Sequence, residues 1–548
     1  MFKNHPKGLQ VLFFTELWER FGYYLMLGIL FLYMIDNQRG GLALSNFDAS
    51  DVYGTYIALV YLTPFVGGLL ADRLLGYSKT IVIGGILMSL GYFGLAIPGS
   101  PLFFYLSLLL IIIGNGFFKP NISTLVGNLY NNPQYKDLKD SGFNIFYMGI
   151  NIGAFICNFI AAYLRNQFSW GAAFAAAGVG MLLGVIIFMA GHKHVKDVDV
   201  VKPTKPGDMS LGYILGSVLV PAVVAGLLGW FIPGNILGSD SNDAFLFASL
   251  PVVVFYLSLF FKAKEDEKQP IAALLSIMAV VVIFWAVFHQ NGSALTLWAE
   301  KYTDRTIPTV VEAPIDALKL TQKVDTTGRL VPVLDMHGAP VKDEAGNAKE
   351  AIGPHPYFEN LPKEEWPASG ALTLISTEIF QSVNPFFVVI LTPVVVGFFN
   401  ILRRKKKEPS TAGKIALGLL ITAASTTIMM LAVVFADNGA MYGLDKSSAL
   451  WLVTAYAVIT VGELFLSPMG LSLVSKLSPP RITAIMMGGW FLATAIGNKL
   501  SGVISGLWEF FDNKVYFFGV NFIGAFLAAL AIFLMLKWLN AVIQKHSA

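Results

Sequence analysis

Charge is what this sequence has least of. Lys, Arg, Asp and Glu make up 13% of its 548 residues, where a soluble globular domain carries about 25%. That shortage argues against a soluble enzyme and against a nucleic-acid-binding surface. Cysteine is nearly absent too. The one copy, Cys157, sits in an apolar run, which excludes an intrachain disulfide and argues against a cysteine-based metal site. No HExxH or GxSxG pattern occurs, and no Ser/His pair is placed by spacing, so a membrane-embedded protease has no support in the motifs. The N-terminal region lacks the small-residue cleavage pattern of a signal peptide, and its apolar run is too long for an h-region. It is expected to be a retained first span.

What fills the sequence instead is apolar length. Hydrophobic residues make up 55% of the chain, in runs long enough to cross roughly 30 Å of hydrocarbon as helices. Spans are expected near 9–35, 50–71, 79–98, 102–128, 143–164, 169–190, 210–231, 244–262, 271–298, 369–402, 412–436, 448–473, 482–508 and 516–537. The fold class is therefore an all-α polytopic membrane protein with fourteen transmembrane helices. Basic residues set its orientation. Lys3, Lys193, Lys196, Lys202, Lys205 and the run RRKKK at 403–407 fall on one side, whereas the short loops of the other side hold Arg39, Arg165, Lys446 and Lys514. By the positive-inside rule both termini are cytoplasmic, in a cell (inner) membrane.

A basic linker, GHKHVKDVDVVKPTKPGD (191–208), follows the sixth span, and the hairpin 210–262 has no ionisable side chain in its apolar body. The organisation expected is an N-terminal six-helix bundle (1–190), a linker with a lipid-facing two-helix spacer (191–270), and a C-terminal six-helix bundle (271–548). The outside loop 299–368 is polar. Short hairpins suit GRLVPVLDMHGAPVKDEAGN, and the loop as a whole reads as a passive surface elaboration.

The few charges inside the spans carry the functional signal. A charged side chain at mid-bilayer costs about 2.5–3.5 kcal/mol, so it faces a bundle interior or a wet cavity. Glu16, Glu19, Arg20, Tyr23 and Tyr24 share one face of the first span by 3–4 spacing. Arg20 can neutralise one glutamate, which leaves the other free to exchange a proton. Asn115 and Lys119 are four apart in the fourth span, beside Pro120. Asn144, Tyr147, Asn151 and Asn158 line one side of the fifth. Tyr456, Thr460, Glu463 and Ser467 form a stripe in the twelfth, and Trp490, Thr494 and Asn498 repeat at four in the thirteenth. The ninth carries Trp285, Phe288, His289, Gln290 and Ser293, and the tenth Glu378, Gln381, Ser382, Asn384 and Pro385.

A lone polar residue in such a helix usually bonds its neighbour. Stripes on seven helices imply a shared aqueous cavity with both charge signs and several aromatics, suited to a zwitterion with apolar side groups. Lys119 could hold a carboxylate, and Glu463, with Asn151 and Asn384 near by, an ammonium. Tyr24, Tyr61, Trp285, Phe288 and Trp490 could supply tolerant apolar pockets. One proton moved down 100 mV is worth about 2.3 kcal/mol, enough for useful accumulation.

Eight segments resemble known sequences. GGLLADRLLG (67–76) is similar to a loop signature of the major facilitator superfamily. TELWERFGYY (15–24), GNGFFKPNISTLVGNLY (114–130), FYMGINIGAF (146–155), FWAVFHQNGSALTLWAE (284–300), QSVNPFF (381–387), GELFLSPMGLSLVSKLSP (462–479) and GGWFLATAIGN (488–498) resemble the proton-coupled oligopeptide transporter family, bacterial members in particular. The resemblance implies alternating access between two six-helix bundles, with proton-driven import of di- and tripeptides. It places Glu16, Glu19, Arg20 and Lys119 in proton coupling. Lys119 would lie near the peptide carboxylate, and Asn151, Asn384 and Glu463 at its amino terminus, with Ser467 beside Glu463. Tyr24, Tyr61, Tyr147, Trp285, Phe288 and Trp490 would line side-chain pockets.

Two positions depart from the family pattern. Leu27 stands where many members have an arginine and His289 where many have an acid, so the ion pair thought to form between them is lost as a pair. Either loss alone would strand a charge in low dielectric. His289 is then a candidate titrating group, and Lys119 is left with more of the peptide carboxylate. The alternative substrate is a modified amino acid, a peptide-like drug or another organic anion moved by the same mechanism. The expected partners are peptides, protons and the bilayer, with no cofactor, no metal and no nucleic acid, and the transporting unit is a monomer.

Overall fold

The computed structural model describes residues 2–98, 100–199, 212, 215–307, 315–333, 341, 349–359, 361, 363–436, 446–479 and 482–546. Helices dominate because a backbone in hydrocarbon must satisfy its own N–H and C=O groups. The first half comprises α1 (Lys7–Ile35), α2 (Asn46–Leu70), α3 (Tyr77–Leu95), α4 (Pro101–Leu129), α5 (Lys139–Gln167) and α6 (Trp170–Gly191). The insert holds α7 (Val220–Trp230) and α8 (Asp240–Phe261). The second half has α9 (Glu265–Phe288), the short α10 (Ala294–Lys301), α11 (Val383–Arg404), α12 (Thr411–Ala436), α13 (Ala449–Leu477), α14 (Thr483–Gly506) and α15 (Lys514–His546).

Among the described residues, eleven helical stretches are long and apolar enough to cross a membrane, and the chain is a multi-pass membrane protein. Three expected spans fall outside those eleven. They are α1, which carries three ionised-type residues in its middle, α7, which is 11 residues long, and α14.

Several starts follow from single serines. Ser45, Ser169 and Ser239 each accept a backbone N–H in the first turn of the helix that follows, as an N-cap should. The tenth span starts later than expected. Residues 371–375 pair as a strand and a 3-10 turn covers Thr377–Ser382, so the helix proper begins at Val383.

α1 packs on α5 and α6, and α3 on α4 and α6. In the second half α12 packs on α13 and α15, and α9 on α14 and α15. The halves meet along α2 with α14 and along α5 with α11. Close approach of α2 to α4 depends on two residue types. Pro120 has no N–H for the carbonyl of Gly116, and a Cβ built on Gly67 would lie 1.9 Å from that oxygen. Only glycine fits at 67.

Six short strands lie in the connections. They are β1 (Thr303–Asp304), β2 (Thr321–Asp325), β3 (Arg329–Pro332), β4 (Glu350–Gly353), β5 (Ala371–Ile375) and β6 (Ser447–Ser448). β1 pairs β6 in parallel, and β2 pairs β5 with Thr321 opposite Ile375. β3 pairs β4 antiparallel; most of the stretch expected to form short hairpins, 328–347, lies outside the described residues.

The loop expected to be passive is bonded to the first half. Asn166, at the end of α5, donates to the Thr321 carbonyl (2.8 Å) and to Ser376 Oγ (2.7 Å). Arg165 donates to Gln322 Oε1 at 2.7 Å. The insert likewise is more than a lipid-facing spacer. Ser241 on α8 donates to Asp51 of α2 (2.6 Å), and Lys499 of α14 donates to Ser241 (2.9 Å), to Thr55 (2.6 Å) and to Asp51. Tyr256 donates to the Ile485 carbonyl at 2.8 Å. Buried carbonyls and carboxylates need such partners, and sequence periodicity does not reveal which segment provides them.

Candidate functional site

A cavity of about 740 Å³ lies where the halves meet. α1 contributes Tyr23, Tyr24, Leu27 and Gly28, α2 Tyr53 and Tyr61, and α5 Ala154 and Asn158. The second half contributes Trp285, Phe288, His289, Asn291, Gln381, Asn384, Pro385 and Glu463. Both charge types and several aromatic rings stand in or beside one space, as the stripes implied.

At one wall, Asn384 donates to Glu463 Oε2 (3.2 Å) and to Thr460 Oγ1 (2.9 Å). One carboxylate is thereby oriented with most of its acceptor capacity left over. Lys119 is not itself a lining residue, but its Nζ stands 4.1 Å from the ring centroid of Tyr61, which is one; this is a cation–π contact. The Tyr61 ring meets His289 edge-on at 5.8 Å. His289 Nδ1 donates to the Trp285 carbonyl at 3.3 Å, and the rings of Trp285 and Phe288 flank it at 5.3 and 5.4 Å.

Beneath these, Glu16, Glu19 and Arg20 are buried together. Here the structure corrects the expectation that Arg20 serves one glutamate. Its guanidinium donates to both oxygens of Glu19 (Nη2 to Oε1 2.8 Å) and lies 3.1 Å from Glu16 Oε1. A planar fork with five donors can reach two carboxylates one turn apart. What remains is one oxygen, Glu16 Oε2, buried and without a hydrogen-bond partner among the described residues. Lys119 lies within electrostatic reach of Glu16, Glu19 and Arg20, which ties this cluster to the cavity wall.

Other expected site residues fall elsewhere. Asn151 donates to the Tyr147 carbonyl at 3.1 Å, and Asn158, two turns along α5, is the asparagine of that helix in the cavity wall. Asn158 donates to Ser382 Oγ at 3.1 Å. A Cβ on Gly28 would lie 2.1 Å from Asn158 Oδ1, so glycine at 28 leaves room for that amide. Trp490 is buried over Gly470, whose added Cβ would lie 1.9 Å from the indole. It packs α14 on α13 and is not among the lining residues. Asn115 donates to the Val60 carbonyl (3.0 Å) and joins α4 to α2. Ser467 lies one turn beyond Glu463, its hydroxyl buried without a partner. Tyr53 and Asn291 line the cavity without having stood out in the sequence, since neither belongs to a polar stripe.

Both termini lie on the face where Gly8 meets Leu129 and Gly413 meets Leu536. Toward the opposite face, hydrogen bonds and ion pairs join the halves: Asn158 with Ser382, Arg165 with Glu378 (3.1 Å), Asn46 with Glu509, and Asp51 with Lys499. Toward the termini, Tyr147 is 52% exposed. The hydrogen bonds and ion pairs that join the halves thus cluster away from the termini.

A sequence model of the POT family matches residues 78–320 and 370–528. The chain is 30% identical over 548 residues to the di-/tripeptide transporter of Lactococcus lactis subsp. lactis strain IL1403, covering 98% of this chain and 96% of that protein. Among solved structures, it is similar to a peptide transporter POT in complex with sulfate (TM-score 0.76, 29% identity, 99% of this chain and 96% of that one). It is also similar to a POT family transporter in complex with 5-aminolevulinic acid (TM-score 0.76, 25% identity, 98% of each). The major facilitator fold expected from the sequence is borne out.

Proposed function

The chain belongs to the POT family, and from that premise we propose that it imports di- and tripeptides together with protons by alternating access. What supports this reading is that Glu463 lines an aromatic-walled cavity, while Lys119 stands against the ring of its lining residue Tyr61 and within electrostatic reach of a buried acidic cluster. Glu463, held by Asn384, receives the peptide ammonium. Lys119 receives the carboxylate, and Tyr24, Tyr61, Trp285 and Phe288 accept side chains of varied shape.

Glu16 and Glu19 take the proton. Arg20 already compensates most of their charge, so the unpartnered Oε2 of Glu16 is the atom to which a proton adds. Protonation weakens the hold of the cluster on Lys119 and frees its ammonium for the peptide. Arg165 with Glu378, and Asp51 with Lys499, form the outer seal that breaks when the cavity turns outward. In this reading the termini are cytoplasmic and the membrane is the cell (inner) membrane. Fourteen helices cross it as a bundle (1–190), an insert (191–270) and a second bundle (271–548), in a unit that works as a monomer.

Uptake of a labelled dipeptide into proteoliposomes, with an inside-negative potential and an inward proton gradient, tests the proposal. Accumulation should collapse with a protonophore. Folded protein that neither takes up nor binds di- or tripeptides would move the reading to another solute. A relative in complex with 5-aminolevulinic acid makes small amino acids the first to try.

A further inference from the structure

A second cavity, about 640 Å³, lies on the other side of the Tyr61 ring, between α2, α14 and the insert. We propose that it is a binding site for one hydrocarbon chain of a membrane lipid, which would join the two bundles to the insert.

The walls define the ligand. Leu62, Phe65, Ala222, Val252 and Phe491 stand around the space, and no lining residue is charged. The hydroxyls at its edge belong to Tyr61 and Tyr256, and that of Tyr256 is engaged by the Ile485 carbonyl. An apolar cavity of this kind does not hold water. Only about 70 Å³ of the space is enclosed and the rest opens past the rim, so it takes a segment of one chain whose remainder lies in the bilayer.

Depth and access define the source. Leu62 and Phe491 are each eight residues from the ends of their helices on the face of the termini, about 12 Å along the axis. That depth lies inside a hydrocarbon layer about 30 Å thick. Leu219 at the rim is 39% exposed on the insert side, so entry is lateral, from lipid. A peptide is held off by the Tyr61 ring, which lines both spaces and carries Lys119 against it. A peptide's charged ends would also meet no ionised partner here.

The site has a mechanical use. The insert is tethered to α14 by Tyr256 and to α2 and α14 by Ser241. Between these tethers α2 and α14 belong to different halves, so a side chain filling the gap would have to repack in every cycle. A flexible chain adapts to both arrangements.

Photolabelling tests this with the full-length protein in phospholipid vesicles containing a phosphatidylethanolamine that bears a diazirine on its acyl chain. Adducts should concentrate on Phe65, Phe255 and Phe491 relative to the open lipid-facing Val223, Leu227 and Val254. Ala222→Trp, and separately Val252→Trp, should lower the cavity adducts at least about tenfold, a loss of 1.4 kcal/mol, and leave the open-surface adducts unchanged. Thermal melts and dipeptide binding serve as the folding controls. Even labelling of cavity and open surface, or cavity adducts that persist in both variants, would overturn the assignment. So would a variant that selectively weakens binding of dipeptides with bulky apolar side chains, because the cavity would then belong to the peptide.

Discussion

Arg165→Met should open the outer seal. Arg165 at the end of α5 faces Glu378 of the second half at 3.1 Å, with side-chain exposures of 5% and 0%. Glu378 has no side-chain hydrogen-bond donor among the described residues, so its main compensation is the guanidinium's charge. Truncating one partner of a buried pair costs about 3–5 kcal/mol, because the survivor is left uncompensated. That penalty applies only to the sealed arrangement, since water reaches Glu378 once the halves part. The sealed-to-open ratio should therefore fall by about 150- to 5,000-fold.

A cysteine at Ala154, in the cavity wall and buried, reports the change when Cys157 is replaced by alanine. In right-side-out vesicles an impermeant thiol reagent should label Ala154→Cys slowly in the parent and faster in Arg165→Met. In Arg165→Met/Glu378→Leu the rate should return toward the parent, because an apolar pair needs no compensation. An unchanged rate in the single variant, or a double variant as leaky as the single one, would show that the pair does not hold the seal.

Glu19→Gln removes one of the two carboxylates bound by Arg20. It should abolish protonophore-sensitive accumulation while dipeptide exchange across the membrane continues. Glu463→Gln replaces a charge-assisted contact worth about 1.5–3 kcal/mol. It should weaken binding of peptides with a free amino terminus about 10- to 150-fold, and that of N-acetylated peptides much less, as competition assays would read. His289→Gln should leave the pH profile of uptake unchanged. The imidazole stands among the Tyr61, Trp285 and Phe288 rings, apart from the acidic cluster, and a shifted profile would restore it to proton coupling.

His355, in the outer loop, is held at about 4 by burial, with Glu300 opposing and Arg305 adding. Its neutral form stabilises the seated loop fully above about pH 6.5, and that contribution is lost as pH falls toward 4. Protease nicking between 299 and 376 should rise over that window in the parent and stay flat in His355→Asn.

Much of the fold was legible in the sequence because each span must satisfy its backbone and face lipid by itself. Apolar length and period located α2 to α6, α8, α12 and α13 to within several residues, whereas α11 begins at Val383, well inside its expected span. Stripes at 3–4 spacing brought Glu16, Glu19 and Arg20 together, and Glu463 to one cavity with Tyr61 and Trp285. Less legible was whatever depends on a distant partner. Asn115, Asn151 and Trp490 have the spacing of cavity residues, yet the first bonds α2, the second its own helix, and the third fills the space over Gly470. Asn158 enters the cavity because Gly28 on another helix makes room for its amide.

The sequence by itself therefore determined the membrane class, the approximate spans and the residue types that bear charge inside them, since these follow from local hydropathy and helical period. Tertiary structure alone decided that Arg20 serves two carboxylates, that the outer loop and the insert are bonded to the bundles, and at which end the halves are joined. The first turns on side-chain placement within one helix, and the others rest on contacts between residues at least 155 positions apart. No local pattern encodes them, because a buried polar group needs a partner and does not specify from which segment it comes.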